Sequence, residues 1–428
     1  MTSPAGQQVL RHPGFNYRGK VLYCDAKDLR SLAKAYGTPL YVYSSKTLRE
    51  RTGALDAAFA GFPHTLCYAV KANSNLSLLR LFAQLGCGFD VVSGGELERV
   101  LRAAPRAAKK VVFSGVGKTR DEIVLALRSG ILLFNVESPA ELEVLLECAS
   151  QLRKTARIAV RVNPDVDAKT HPYISTGLRK HKFGIAIEEA AALYARLTRQ
   201  KYAEAAGVSV HIGSQITSVT PFGEAMRRVA ALVRELQASG HAIRYVDAGG
   251  GLGISYQREQ PDFAEQAWRY ARAVLQPLRK LGVHLLLEPG RVLVGPAGVL
   301  LTSVIYNKVN RGKRFVIVDA GMNDLLRPSL YGAEHEIVPV LQDLSRPMAK
   351  VDVVGPVCES GDFLARDRRL TEVREAELLA VLDAGAYGTA LGSNYNTRPR
   401  PAEVLVDGER VKVIRRRETF EEMVVAES

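Results

Sequence analysis

The sequence predicts an α/β protein, a (β/α)8 barrel of the TIM type followed by a C-terminal antiparallel β domain. Between about Thr65 and Arg291, apolar β-branched runs alternate with amphipathic stretches, which implies βαβ units and a parallel sheet. The runs number eight, the count that closes a barrel, and the segment has about a barrel's length. Beyond Arg291 the texture changes to short alternating apolar and polar runs separated by turn signals, with little helical periodicity. A doubly wound open sheet fits eight consecutive units less naturally.

The eight runs are Thr65–Val70, Gly88–Val92, Lys110–Ser114, Ile131–Val136, Arg157–Val162, Val208–Ile212, Arg244–Ala248 and His284–Glu288. Helical stretches lie between them, among them Ser77–Leu85, Glu96–Ala103, Ser138–Cys148, Ile187–Leu197 and Ala225–Leu236. A long connection, Asn163 to Phe183, is rich in Pro, Gly, His and Lys, and a loop of that length after a barrel strand suggests function. The later strands are expected at Gly298–Tyr306, Phe315–Asp319, Ala349–Val354, Glu377–Leu382, Glu403–Val406 and Glu409–Ile414. Val21–Tyr23 and Leu40–Tyr43 are short strands ahead of the barrel. The expected domains are 38–290 for the barrel, and 1–37 with 291–428 for the β domain.

Composition narrows the function classes. A chain of 428 residues, 47% hydrophobic and 24% charged, reads as a soluble globular protein of one large or two ordinary domains. No apolar run approaches membrane-spanning length, and Met1–Leu10 carries no basic-then-apolar leader. Cys24, Cys67, Cys87, Cys148 and Cys358 are odd in number and form no C-x-x-C pair, so no disulfide framework or zinc site is expected and a reducing cytoplasm is. The net charge of +13 raises nucleic acid as a partner. Its clusters, Arg179-Lys180-His181-Lys182 and Arg415-Arg416-Arg417, are short and lack aromatics, so a solvated basic face is the reading, with no nucleic acid and no membrane.

In such a barrel, catalytic groups come from the C-terminal ends of the strands. Strand one ends in Tyr68-Ala69-Val70-Lys71-Ala72-Asn73, where Lys71 is either a surface lysine or, if partly desolvated, a Schiff-base lysine. Strand six ends in His211-Ile212-Gly213-Ser214-Gln215: His211 is a satisfied core histidine or a flat cover for a planar cofactor, with Ser214 available to a phosphate. After strand seven, Gly249-Gly250-Gly251 lets backbone N–H groups approach an anion or merely makes a turn; barrel phosphate sites use this position. Strand eight delivers Glu288-Pro289-Gly290-Arg291, an ion pair in the making or an acid for a ring nitrogen. In the β domain, Gly355–Asp362 presents Cys358 and Glu359 between glycines, and Ala384–Gly388 presents Tyr387.

Read in order, Tyr68–Asn73, Phe89–Ser93, His211–Gln215, Gly249–Gly253, Glu288–Arg291, Cys358–Asp362 and Ala384–Gly388 resemble the motif series of fold-type III pyridoxal-phosphate decarboxylases over almost the whole chain. Arg327–Ala333, Cys358–Asp362 and Gly392–Asn396 resemble the diaminopimelate decarboxylase group within it. Ornithine decarboxylases typically have aspartate where Glu359 stands.

The resemblance implies pyridoxal 5′-phosphate held by Lys71 as a Schiff base, with His211 stacked on its ring and Glu288 at its pyridine nitrogen. It implies Ser214, Gly250, Gly251, Pro289, Gly290 and Arg291 around the phosphate, helped by Tyr387, and support from Asp90 and Arg161. Arg291, Arg327, Tyr331, Glu359 and Tyr387 would grip the substrate, and Cys358 or Lys71 would return a proton to the α-carbon. The implied reaction turns meso-2,6-diaminopimelate into L-lysine and carbon dioxide, with no metal, in a homodimer whose Cys358 and Glu359 serve the partner's site. Decarboxylation of ornithine, arginine or lysine is the nearest rival. It leaves Arg327 without a distal carboxylate to bind. Alanine racemase shares the architecture but needs a different second base, and a catalytically inactive binding protein would have lost Lys71, Cys358 or the glycine loop, all of which are present.

Overall fold

Eight parallel strands close on themselves in the first of two units into which the computed structural model divides. Residues 10, 12–167, 182–257 and 261–427 are described by the structure. The expected loop after strand five therefore falls, over 168–181, outside the described residues, as does most of the basic cluster at 179–182.

The barrel unit comprises 52–253 and 262–292. Its strands run His64–Ala69, Gly88–Val91, Val111–Phe113, Leu133–Val136, Ala156–Asn163, Ala203–Ser209, Tyr245–Asp247 and His284–Leu287. Each pairs in parallel with the next, the eighth pairs with the first, and so the sheet has no open end. One apolar cluster draws Cys67, Val112, Leu133, Ala159, Ala206 and Leu286 from six different strands.

After strands one to four, local chemistry starts the next helix within a few residues. Asn75, Ser93 and Ser138 accept the backbone N–H groups of Ser77, Glu96 and Glu141, while Thr119 and Glu122 form a reciprocal capping box. These caps keep the turns after strands one to four short, so side chains just past each strand remain at the barrel mouth.

Strand six differs from the expectation. It occupies Ala203–Ser209 rather than Val208–Ile212. Ala203, Glu204 and Ala205 have weak strand preference by themselves, yet pair with Ala156, Arg157 and Ile158 of strand five, so the neighbouring ladder overrides propensity. His211 consequently stands two residues beyond the strand, in the loop.

The second unit comprises 1–51, 254–261 and 293–428. Its main sheet runs Phe363–Thr371, Met348–Val354, Lys313–Val318, Gly298–Asn310, Leu40–Ser44, Ala402–Asp407, Arg410–Arg415. Gly298–Asn310 also pairs with Leu378–Val381, which pairs with Ile337–Pro339. The sheet is mainly antiparallel, with two parallel pairs: Lys313–Val318 with Met348–Val354, and Leu40–Ser44 with Ala402–Asp407. The boundary expected at residue 38 would assign Leu40–Ser44 to the barrel; the strand instead lies between Gly298–Asn310 and Ala402–Asp407, and the division by contacts falls after Arg51. Leu40, Val42, Val299, Leu301, Val404 and Val406 share this unit's apolar core.

Candidate active site

Lys71 lies in a single 3-10 turn, Val70–Ala72, immediately after strand one. Its Nζ is ion-paired with Asp90 Oδ2, at the end of strand two. Asp90 is fully buried, and its other carboxylate oxygen, Oδ1, has no hydrogen-bond partner. Lys71 keeps 34% of its side chain exposed, so it is neither a free surface lysine nor an inaccessible one. Nearby, Glu96 accepts the Val92 N–H at 2.9 Å, and burial pushes its carboxyl up to about 7 against the pull of Lys71.

His211 takes its orientation from the glycine loop. The Gly250 N–H donates to His211 Nδ1 at 3.1 Å. Burial, then the charges of Arg161 and Lys71, hold the imidazole well below its ordinary value, so it is neutral with its hydrogen on Nε2. Gly249 and Gly251 have φ of +66° and +105°, a region that favours glycine. A Cβ at Gly250 would strike the Glu288 carbonyl oxygen. The loop can therefore be neither bulkier nor differently folded. Beside it, the Arg291 guanidinium donates to Ser214 Oγ at 3.1 Å, and a Cβ at Gly290 would lie 3.0 Å from that of Ala72.

Glu288 is 6% exposed and belongs to a network of buried polar groups. Ser114 Oγ donates to Glu288 Oε1 at 3.1 Å, and Asn135 Nδ2 donates to Ser114 Oγ at 3.1 Å and to Asp247 Oδ2 at 2.7 Å. Burial, then Asp247 and Asp90, raise the Glu288 carboxyl well above the carboxylate range, while Lys71 opposes them. Arg161 donates to Glu137 Oε1 at 2.8 Å, and Glu137 also accepts the Gly115 and Gly184 N–H groups.

The barrel thus brings together Lys71, His211, Ser214, Gly250, Gly251, Glu288, Pro289 and Gly290 at the C-terminal ends of strands or in the segments that follow them, with Arg291 opening the short helix Arg291–Val294. Ser114, Asn135 and Glu137 were missed by the sequence reading, and Asp247 had no role in it. Their signal was a polar residue at the end of an apolar run, as in Leu133-Phe134-Asn135-Val136 and Tyr245-Val246-Asp247.

The remaining expected residues belong to the second unit. Arg327 is 5% exposed; its guanidinium donates to His335 Nε2 at 2.6 Å and lies 4.7 Å from the Tyr256 ring centre. His335 Nδ1 donates in turn to the Leu382 carbonyl at 2.7 Å, which leaves Nε2 free to accept from Arg327. Tyr331 closes the same short helix, Arg327–Tyr331, and Ser329 Oγ ties that helix to the Gly361 carbonyl at 2.5 Å.

The buried carboxylate of Asp362 accepts the Met322 and Val357 N–H groups at 2.6 Å each, pinning both ends of the loop that displays Cys358 and Glu359. Both displayed side chains are exposed. Tyr387 is half-buried with φ of +58°, a strained backbone for a tyrosine.

Residues 45–295 match the family model of the pyridoxal-binding domain of pyridoxal-dependent decarboxylases. Over 414 residues the chain is 52% identical to the diaminopimelate decarboxylase of Pseudomonas aeruginosa, covering 97% of this chain and 98% of that one. The structure of diaminopimelate decarboxylase from Helicobacter pylori complexed with L-lysine is 42% identical, with a TM-score of 0.89 over 93% of this chain and 99% of that chain. The corresponding M. jannaschii enzyme in complex with L-lysine is 39% identical, with a TM-score of 0.91 over 98% and 99%.

Proposed function

The chain belongs to the diaminopimelate decarboxylases, within the pyridoxal-dependent decarboxylase family, and from that premise we propose that it holds pyridoxal 5′-phosphate at the barrel mouth and converts meso-2,6-diaminopimelate into L-lysine and carbon dioxide. It is an amino-acid carboxy-lyase. The observation that carries the reading is the convergence of a paired lysine, a neutral histidine, a glycine loop and a buried acid at one end of one barrel.

The residues present fit the cofactor. The loop Gly249–Gly251 is a cradle that a Cβ would fill, Ser214 and Arg291 offer donors to a phosphate, and the buried Asp90 Oδ1 lacks a donor. When bound, pyridoxal phosphate supplies a conjugated ring that accepts the electron pair left by departing carbon dioxide.

Lys71 Nζ would be the amine that holds the cofactor through its aldehyde carbon. His211, being neutral, would cover the ring without repelling a protonated nitrogen. Glu288 would be the acid for that nitrogen. Arg291, Arg327, Tyr331, Glu359 and Tyr387 bind the substrate, with an arginine for its distal carboxylate and Glu359 for its distal ammonium; binding energy from that remote end positions the reacting end. Cys358 Sγ or Lys71 Nζ returns the proton to the α-carbon.

The exposed Cys358-Glu359 loop supports a homodimer in which each chain's loop completes its partner's site. Its test is complementation: mixed Lys71→Ala and Cys358→Ala chains should show more activity than either chain alone. The five free thiols support a cytoplasmic location; among the described residues, no helix is long and apolar enough to cross a membrane.

The deciding experiment gives the protein and cofactor meso-diaminopimelate, ornithine, arginine and lysine separately, and measures carbon dioxide and the amine formed. Lysine from diaminopimelate alone is expected. Turnover of only a simple basic amino acid would overturn the substrate, and silence on all four would overturn the reaction.

A further inference from the structure

Arg327 is a buried cation, and three features of the β unit fix where its guanidinium lies. The first is a tight reversal of the chain. The Gly332 N–H, at a φ of +60°, donates to the Arg327 carbonyl and ends the short helix Arg327–Tyr331. His335 is thereby turned back onto Arg327.

The second feature is the sheet. Ile337 pairs with Val381, and just beyond that pair the Leu382 N–H donates to the Glu336 carbonyl at 2.9 Å. His335 Nδ1 donates to the Leu382 carbonyl at 2.7 Å, so the end of the ladder sets the ring. From the strand Phe363–Thr371, the Arg368 guanidinium holds the same segment, donating to the His335 carbonyl and the Glu336 carboxylate at 3.2 Å each. The third feature is Tyr256. Its ring centre lies 4.7 Å from the Arg327 guanidinium carbon and 5.0 Å from the His335 ring, which it meets edge to face.

The choice of a histidine matters. With the ring hydrogen on Nδ1 given to Leu382, Nε2 is an uncharged acceptor for Arg327 Nη1 at 2.6 Å. A carboxylate in its place would orient the guanidinium but also cancel its charge. A neutral acceptor and an aromatic face orient it and leave the charge for an anion. They also remove beforehand the rotamer freedom that an arginine otherwise loses on binding.

We propose that His335 and Tyr256 are positioning residues for Arg327, and that together they set the preference for molecules with a carboxylate at the end remote from the reacting amine. The proposal rests on the reading that Arg327 binds the distal carboxylate of diaminopimelate. The carboxylate that remains after the reaction is the distal one, so the product lysine still carries it. Cadaverine is the same chain without it, and this pair of ligands isolates the carboxylate.

Inhibition of carbon dioxide release from diaminopimelate, measured on the cofactor-loaded enzyme with L-lysine and with cadaverine, gives a ratio of inhibition constants that reads the preference. Arg327→Met should remove most of that ratio. His335→Phe keeps a flat ring but neither nitrogen; it should weaken lysine by roughly tenfold and cadaverine by less than about twofold. Added to Arg327→Met, it should change the ratio no further, because its effect passes through the arginine. Tyr256→Leu should lower the ratio by about threefold.

A merely structural role would weaken both ligands alike, or add to the effect of Arg327→Met, and either result overturns the proposal. If His335→Phe does not fold, Tyr256→Leu decides: an unchanged ratio sinks it. A wild-type ratio in Arg327→Met would sink the reading of Arg327 itself and the proposal with it. A ratio lost in Arg327→Met but kept in the His335 and Tyr256 variants would sink the proposal alone.

Discussion

The barrel and the β unit hold their chemically important groups in opposite ways. At the barrel mouth Asp90, Asp247 and Glu288 are buried, and Asn135 and Ser114 tie Asp247 and Glu288 into one hydrogen-bonded network. In the β unit Cys358 and Glu359 are exposed, on a loop whose anchors, Asp362 and Ser329, are the buried or tied parts. Buried charges must be compensated where they stand, so the barrel site is organised before any ligand enters. Exposed groups carry no such obligation, and their roles depend on what later covers them. Arg327 is intermediate: a buried cation oriented by His335 and Tyr256.

Breaking the barrel side should have the largest effect. Lys71→Ala should abolish the near-visible absorbance of bound cofactor and lower turnover by at least about 1,000-fold, measured as carbon dioxide release; full turnover would remove Lys71 from the chemistry. Arg327→Met tests the intermediate case. Loss of a charged hydrogen-bond donor should cost about 1.5–3 kcal/mol in kcat/KM for diaminopimelate, roughly 10- to 100-fold. An unchanged kcat/KM in a folded variant would confine Arg327 to a structural role.

A smaller effect sharpens the cost of burial. Glu288 has a folded value above its unfolded one, so the native apoprotein binds the extra proton. Its contribution to stability is present below the ordinary carboxylate value and is lost as pH rises towards the folded value, with a slope of about 1.4 kcal/mol per pH unit. Glu288→Gln keeps an acceptor for Ser114 but cannot ionise. Its apoprotein should therefore melt higher than the wild type as pH rises, while binding cofactor more weakly. Parallel Tm–pH curves would contradict this.

The smallest change concerns the exposed loop. A thiol reagent should label one cysteine per native chain, Cys358, because the other four are buried and burial pushes the Cys87 thiol up to about 12. Cys358→Ala should label only on unfolding.

Much of this arrangement was legible in the chain. Lys71 follows an apolar run, and His211 and Glu288 stand at the ends of two others, where polar groups need a reason, and the capping residues Ser93, Thr119 and Ser138 mark where helices begin. Strand six was placed too late because Val208–Ile212 has the better local pattern, while Ala203–Ala205 becomes a strand only through pairing with strand five. Asn135 and Ser114 were passed over because one polar residue in or beside a short run is ordinary until its partner is known.

The periodicity, the turn chemistry and the order of the motifs determined by themselves that this is a barrel with a β domain and that Lys71, His211, Glu288 and the glycine loop belong to the C-terminal ends of its strands. Those features are local: they depend on residues a few positions apart. Only the tertiary structure decided that Asn135, Ser114 and Asp247 gather around Glu288, since they are 21 to 174 positions apart and meet only when eight strands close in one register. The upward shift of the Glu288 carboxyl follows from that meeting, because burial and the charges of Asp247 and Asp90 set it, and no local pattern encodes them.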